Sequence, residues 1–321
     1  MKIVLGPLMF VISLVNYFIY SLSGYQSNLS YRVFRKTYIF TNGIFNDFIS
    51  FTLKVIKKGF SKNEIESLIS IAPSILLETD QFIKSMDKKG YYIFNSRIKE
   101  STINNLISDL NNLSVTSVKD NKTYYTQDIE ALPEGKSFRQ KKDLLQSKSV
   151  LNFIFCKEFI YLAQMYLESK PICNNAASWI TKPTLDEMML DVSAQKFHFD
   201  MDKIKFIKFF IYLTDVDSKN GPHIYVSSSH KRLPNSLKND GRFNDETISN
   251  LYGLEKIIEI TGKKGTLIAV DTRGLHKGKP LTENYRDIFQ VEYSNSLFGR
   301  KYSTQIEEIE KFNKIERSIL K

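Results

Sequence analysis

The sequence predicts a mainly β protein with helices added on its N-terminal side. Past residue 172, short β-branched and aromatic runs recur between turn signals, at 177–182, 188–192, 204–213, 224–226, 256–260, 266–270 and 287–293. Several short strands at this spacing form a sandwich or a barrel. Residues 45–113 carry apolar residues at helical spacing instead. The chain of 321 residues shows no internal repeat and no low-complexity tract. That length allows one large or two ordinary domains, and a β-barrel decorated with helices commonly takes it as one unit.

Taken in order, the first segment is the most ambiguous. Residues 3–31 contain no charged side chain, and 3–22 is long enough to cross about 30 Å of hydrocarbon as a helix. Pro7, Ser13, Asn16 and several tyrosines lower its hydropathy. Two expectations follow for 1–31, a helix packed on the core or a membrane anchor. If it spans, Arg32, Arg35 and Lys36 hold the rest of the chain on the cytoplasmic side. A cleaved signal peptide is not expected, because Lys2 is the only basic residue before the apolar run and no Ala-x-Ala site follows.

Ser61 and Glu64 form a capping box that opens an apolar-periodic helix, which Pro73 ends or kinks. Further helices are expected over 99–113 and 150–167. Between them, 114–149 is polar, charged and punctuated by the turn Leu132-Pro133-Glu134-Gly135, which predicts a long surface loop over the mouth of a site. Asp215 and Asp217, just before Asn220-Gly221, are turn-formers.

Forty-five Lys and Arg against 35 Asp and Glu give a net charge of +10. The lysines are spread along the chain, and no Arg-rich run or nucleic-acid signature accompanies them, so a nucleic-acid partner is not expected. Cys156 and Cys173 stand far apart, without the spacing of a zinc or redox motif. Free cysteines in apolar surroundings suit a reducing, cytoplasmic compartment.

The stretch richest in chemistry is Phe197-His198-Phe199-Asp200. Residues two apart on a strand share a face, so His198 and Asp200 aim an imidazole and a carboxylate into one cavity. His276, following the apolar run 266–270, supplies a second imidazole. Two His and one carboxylate on one face of an octahedron suit Fe(II) with open positions for a cosubstrate and O2. Ten residues on, Arg286 offers a planar fork for a carboxylate such as that of 2-oxoglutarate. Taken alone, His-x-Asp is more often a hydrogen-bonded structural histidine.

The surroundings add Asn220-Gly221-Pro222-His223, Ser227-Ser228-Ser229-His230-Lys231 and Gly265-Thr266-Leu267-Ile268-Ala269-Val270-Asp271. Together with His198, Asp200, His276 and Arg286, these resemble the phytanoyl-CoA dioxygenase family of Fe(II)/2-oxoglutarate oxygenases. Weaker similarity upstream, at Lys89-Gly90-Tyr91-Tyr92-Ile93, 99–113, Asp143-Leu144-Leu145 and 150–167, extends the resemblance over 88–300. Two departures are visible: Ser228 stands where a Gly is usual, and His223 where an aliphatic residue is usual.

The resemblance implies a double-stranded β-helix, the jelly-roll of cupins, over about 172–300, with helices over 45–170 in one oxygenase domain spanning 32–321. It implies Fe(II) on His198, Asp200 and His276, 2-oxoglutarate on Arg286, O2 as the oxidant and release of succinate. Related halogenases lack the carboxylate, so Asp200 favours hydroxylation. The substrate expected is a small molecule, a lipid or a saccharide, with residues 1–31 at a membrane surface as a further expectation. The alternative is a jelly-roll protein that binds metal without 2-oxoglutarate or without turnover. Trp179, Lys182, Gln195 and His223 are candidate pocket residues, and His230 is expected to fix its own turn by hydrogen bonds.

Overall fold

The computed structural model describes residues 2–125, 128–140, 144–186, 190–191, 193–238, 241–301 and 309–320. Two antiparallel sheets face one another. The larger has eight strands, in the order β1 (Tyr91–Ile93), β9 (Leu267–Val270), β6 (Phe206–Tyr212), β11 (Arg286–Ser294), β5 (Ile172–Thr181), β4 (Ser137–Gln140), β2 (Ser114–Ser117) and β3 (Thr123–Tyr125). The smaller is β10 (His276–Gly278), β7 (His223–Val226) and β8 (Ile257–Ile260). This is the jelly-roll arrangement with N-terminal helices that the sequence predicts.

Strand β6, Phe-Ile-Lys-Phe-Phe-Ile-Tyr, is buried along its whole length because both of its faces are covered. Ile207, Phe209 and Ile211 pack outward, with Phe289, Val291 and Tyr293 of β11, against α5 (Thr79–Lys89), α6 (Glu100–Asn111), α7 (Lys148–Ile154) and α8 (Lys157–Leu167). Phe210 and Tyr212 point inward and meet Tyr91, Tyr225, Ile260 and Ile288 between the sheets. Because strand side chains alternate, the register Ile288↔Tyr212, Gln290↔Phe210 and Glu292↔Lys208 puts Arg286, Ile288, Gln290 and Glu292 on that same inner face.

Helices α1 (Lys2–Ser23), α2 (Asn28–Thr41) and α3 (Ile44–Ile56) pack outside the smaller sheet. Phe34, Tyr38, Phe45, Ile49 and Leu53 meet Phe197, Phe199, Met201, Ile224, Leu275 and Phe298, and Phe10, Leu14, Tyr17 and Tyr20 close over the edge of that cluster. Most of 1–31 is described as α1 and the start of α2, and α1 packs on the protein through these side chains. No described helix is long and apolar enough to cross a membrane. Half of α1 is committed to the protein: Ser13 hydrogen-bonds Thr37 at 2.7 Å, and Tyr17 and Tyr20 lie against the Phe298 ring.

Four local expectations are corrected. Residues 114–149 hold β2, β3 and β4 rather than one loop, because β5 has a free edge onto which Ser137, Phe138 and Arg139 pair, burying Phe138 beside Ile180, Val115 and Leu132. The run 150–167 breaks at Phe155 and Cys156, where the Lys157 N–H donates to Ile69 O and the Glu158 carboxylate accepts from the N–H groups of Ile71 and Ala72. The Ser61 capping box does form, but its helix, α4 (Lys62–Glu66), stops well before Pro73, which instead opens a 3-10 turn. No strand is seen over 188–192, where Leu190 and Asp191 are helical and residues 188, 189 and 192 lie outside the described set.

The Ser227–Lys231 turn explains one departure from the family pattern. Ser228 has φ +69°, in the left-handed region where a Cβ costs about 1–2 kcal/mol. Its N–H donates to Lys89 O and its hydroxyl to Lys88 O, at 2.8 and 2.9 Å. Ser228→Gly relieves the strain but loses the exposed hydroxyl bond and adds chain entropy. The expected net gain is roughly 0.5 kcal/mol, read as a higher midpoint in chemical denaturation at unchanged slope.

Candidate metal centre

The segment carrying His198 and Asp200 is extended but is not a strand of either sheet. It is held by single bridges, in which His198 and His276 exchange backbone hydrogen bonds at 3.0 and 2.9 Å and the Asp200 N–H donates to Thr272 O at 2.7 Å. Alternation survives all the same. Phe197, Phe199 and Met201 turn out toward α2 and α3, while His198, Asp200 and Asp202 turn into a cavity of about 250 Å³. The N-terminal helices therefore clamp the segment that carries two of the three candidate ligands.

His198, Asp200 and His276 each offer one ligand atom, all within 4.8 Å of one another. His198 Nε2 lies 3.8 Å from Asp200 Oδ1, and His276 Nε2 lies 3.5 Å from Asp200 Oδ2. Ligand bonds of ~2.1 Å meeting at a right angle would set such atoms roughly 3 Å apart, so a small inward movement completes a site. His198 Nδ1 faces Lys196 O and His276 Nδ1 faces Gly274 O, both at 2.9 Å. A carbonyl can only accept, so each Nδ1 carries the proton and each Nε2 lone pair points at the shared centre. Burial, then the neighbouring His276, pushes the His198 pKa well below its usual value, which keeps it the neutral imidazole a metal needs. For Asp200, burial favours the neutral acid, but the Lys208 ammonium 2.7 Å away leads the interactions that outweigh it and hold the carboxylate ionised.

Arg286 opens β11 on the inner face and lines the same cavity. One of its terminal nitrogens donates to Gly221 O, while Nε has no partner among the described residues. Gly278 packs closely beside it, a Cβ at that position falling 3.1 Å from Nη2. His223 lines the wall beside it, stacked on His276 with ring centroids 5.5 Å apart, and its Nε2 is likewise unpartnered. Burial, then His276, keeps its pKa far below normal. A buried guanidinium on this wall with an unpartnered Nε fits a carboxylate ligand better than an empty wall, because an unsatisfied buried donor is costly.

The other sequence candidates divide. Trp179 lines the cavity with the Arg139 guanidinium 4.6 Å above its ring. Lys182 does not; its ammonium ties down the 130–134 turn through Glu130 O, Leu132 O and Glu134. Gln195 is buried outside the lining. His230 holds its turn to Asp87 O, and Asp215 and Asp217 accept backbone N–H groups in turns.

Sequence reasoning missed Lys208 and its partners. The Lys208 ammonium lies 2.7 Å from Asp200, 2.9 Å from Asp202 and 3.4 Å from Glu292. Burial disfavours its charge, yet these three carboxylates outweigh burial and raise its pKa well above normal. The signal was present as a single charge inside the apolar run of β6. Its cross-strand neighbour Glu292, one of two acids in β11, became visible only with the register. Arg242 and Arg300 were also missed, and both line the cavity.

Two imidazoles and a carboxylate within a jelly-roll, with a buried Arg lining the same cavity, make a group that could hold a metal ion. The chain belongs to the phytanoyl-CoA dioxygenase (PhyH) family, whose model matches residues 86–288. Among solved structures, it is similar to the non-heme alpha ketoglutarate dependent epimerase SnoN from nogalamycin biosynthesis, at 13% identity over 68% of this chain and 84% of that one, with a TM-score of 0.50. EctD from S. alaskensis with bound Fe is 17% identical over 70% and 81%, with a TM-score of 0.49. HygX from Streptomyces hygroscopicus, with nickel and 2-oxoglutarate bound, is 15% identical over 73% and 98%, with a TM-score of 0.48. The comparison with curated proteins finds no match.

Proposed function

We propose that this protein is an Fe(II)- and 2-oxoglutarate-dependent oxygenase that hydroxylates a small organic molecule bearing an anionic group. The observation that carries the reading is the convergence of His198, Asp200, His276 and the buried Arg286 on one cavity. When bound, iron supplies the oxidising chemistry, coupling O2 to the decarboxylation of 2-oxoglutarate into succinate and CO2.

The chain's own contribution is arrangement. His198 and His276 present lone pairs from rings locked by backbone carbonyls. Asp200 supplies the negative ligand, and Lys208 holds that carboxylate in place. Arg286 suits the far carboxylate of 2-oxoglutarate through two parallel charge-assisted bonds, and Phe210, Ile288 and Trp179 give the cavity an apolar wall. Asp200 occupies the position that a halide would require, which favours hydroxylation.

With Lys208 committed to Asp200, Asp202 and Glu292 and Arg286 assigned to the cosubstrate, the lining still presents the guanidinium groups of Arg139, Arg242 and Arg300, the last two 3.7 Å from Asp191 and 3.6 Å from Asp202. Guanidinium groups lining a confined cavity favour an acidic substrate. The test is succinate release from 2-oxoglutarate with added Fe(II), followed by a screen of metabolites. Acidic compounds should stimulate release more than neutral ones. Iron binding without any effect of 2-oxoglutarate on the spectrum or on turnover would favour a metal-binding jelly-roll that uses no cosubstrate.

A further inference from the structure

The outer side of α1 and α3 is both exposed and apolar. On α1, the exposed residues Leu8, Val11, Ile12, Val15, Phe18, Ile19 and Leu22 are linked pair by pair at separations of three or four, so they form one stripe that is apolar from end to end. On α3, Ile44, Phe48, Phe51 and Val55 do the same, with Phe18, Phe51 and Val55 each more than 60% exposed. Phe10 joins the two helices, its ring centroid 5.4 Å from Phe45 and 6.0 Å from Phe48. A patch of this size on a water-soluble surface marks an interaction site.

Charge indicates the occupant. The first 62 residues hold eight basic side chains, Lys2, Arg32, Arg35, Lys36, Lys54, Lys57, Lys58 and Lys62, against the single acid Asp47. Eight less one is seven, most of the net +10 of the whole chain. The exposed stripe of α2 mixes both properties as Leu29, Arg32, Lys36 and Phe40. Lys54, Lys57 and Arg35 turn to Glu168, Asn295 O and the Phe199 ring, while Arg32 and Lys36 on α2 are exposed. An exposed apolar stripe on a segment with this basic excess matches the interface of an anionic bilayer, where side chains enter the acyl boundary and cations meet headgroups. A second copy on the same face would bring two such basic segments together. Spanning is also unavailable to α1, because Ser13, Tyr17 and Tyr20 are held by the protein.

We infer that the joint face of α1 and α3 docks the protein flat on an anionic phospholipid surface. The docked face is tied to the cavity. Gln26, between α1 and α2, donates to Gly299 O and accepts from the Gly299 N–H, both at 2.8 Å, and the next residue, Arg300, lines the cavity. The inference is independent of turnover, so it stands or falls separately from the proposed reaction.

The experiment is flotation of the full chain with vesicles of phosphatidylcholine alone or of phosphatidylcholine with phosphatidylserine, alongside sedimentation velocity without lipid. The protein should float with the anionic vesicles, less so at high salt. Phe18→Glu/Phe51→Glu should lower partitioning about tenfold or more, and Arg32→Glu/Lys36→Glu should weaken it on anionic vesicles only. All four positions are exposed, and an unchanged circular dichroism spectrum and thermal midpoint confirm intact variants. No flotation with either vesicle, equal flotation with both, or a dimer that the Phe18/Phe51 substitutions disperse would overturn the inference.

Discussion

His198→Ala is expected to abolish stoichiometric Fe(II) binding. The imidazole it removes is oriented by the Lys196 carbonyl, and the backbone bridge to His276 keeps that segment facing the cavity. Losing even an outer hydrogen-bond partner of a metal ligand typically weakens binding 10–100-fold, so loss of the ligand itself should cost on the order of a hundredfold or more. Anaerobic titration should find about one Fe(II) per parent chain and no saturable binding in the variant. The parent should also melt at a higher temperature when loaded, because a ligand that binds only the folded state stabilises it, and the variant should show no such shift. Equal iron affinity in the two proteins would mean that the ligand set is another.

Arg286→Ala is expected to weaken 2-oxoglutarate binding by a hundredfold or more while leaving iron affinity nearly unchanged. Removing one member of a buried ion pair costs on the order of 3 to 5 kcal/mol, since the remaining charge is left without a partner in a poorly hydrated site. Arg286 is buried, and its Nε has no partner among the described residues, so the carboxylate would meet a donor already in place. Arg286→Lys should recover only part of the loss, because an ammonium is a point charge and cannot make two parallel bonds. The readout is the visible charge-transfer band of the anaerobic Fe(II)/2-oxoglutarate complex, titrated with cosubstrate. An unchanged midpoint in Arg286→Ala would assign the far carboxylate to another residue, with His223 the first to examine.

Much of the candidate site was legible because alternation is a local property. The pattern Phe197-His198-Phe199-Asp200-Met201-Asp202 places polar groups on one side and apolar ones on the other whether or not the backbone is paired as a strand. That is why the expected strand proved to be a bridged, extended segment with the same outcome. The basic wall was less legible. Arg139 sits in what looked like a polar loop, and only the free edge of β5 turned that segment into a strand whose inner face reaches the cavity.

The sequence by itself determined the core strands, the facing of His198 and Asp200, and the membership that its motifs imply, since each depends on spacing within a few residues. Tertiary structure decided what depends on distant partners. Lys208 became the partner of Asp200, Asp202 and Glu292 only when β6 and β11 paired in one register. The apolar N-terminal run became a packed helix because residues more than a dozen positions away, Thr37 and Phe298 among them, accept its polar side. Its other side was left uncovered, and hydropathy along the chain cannot separate two sides of one helix that only packing distinguishes.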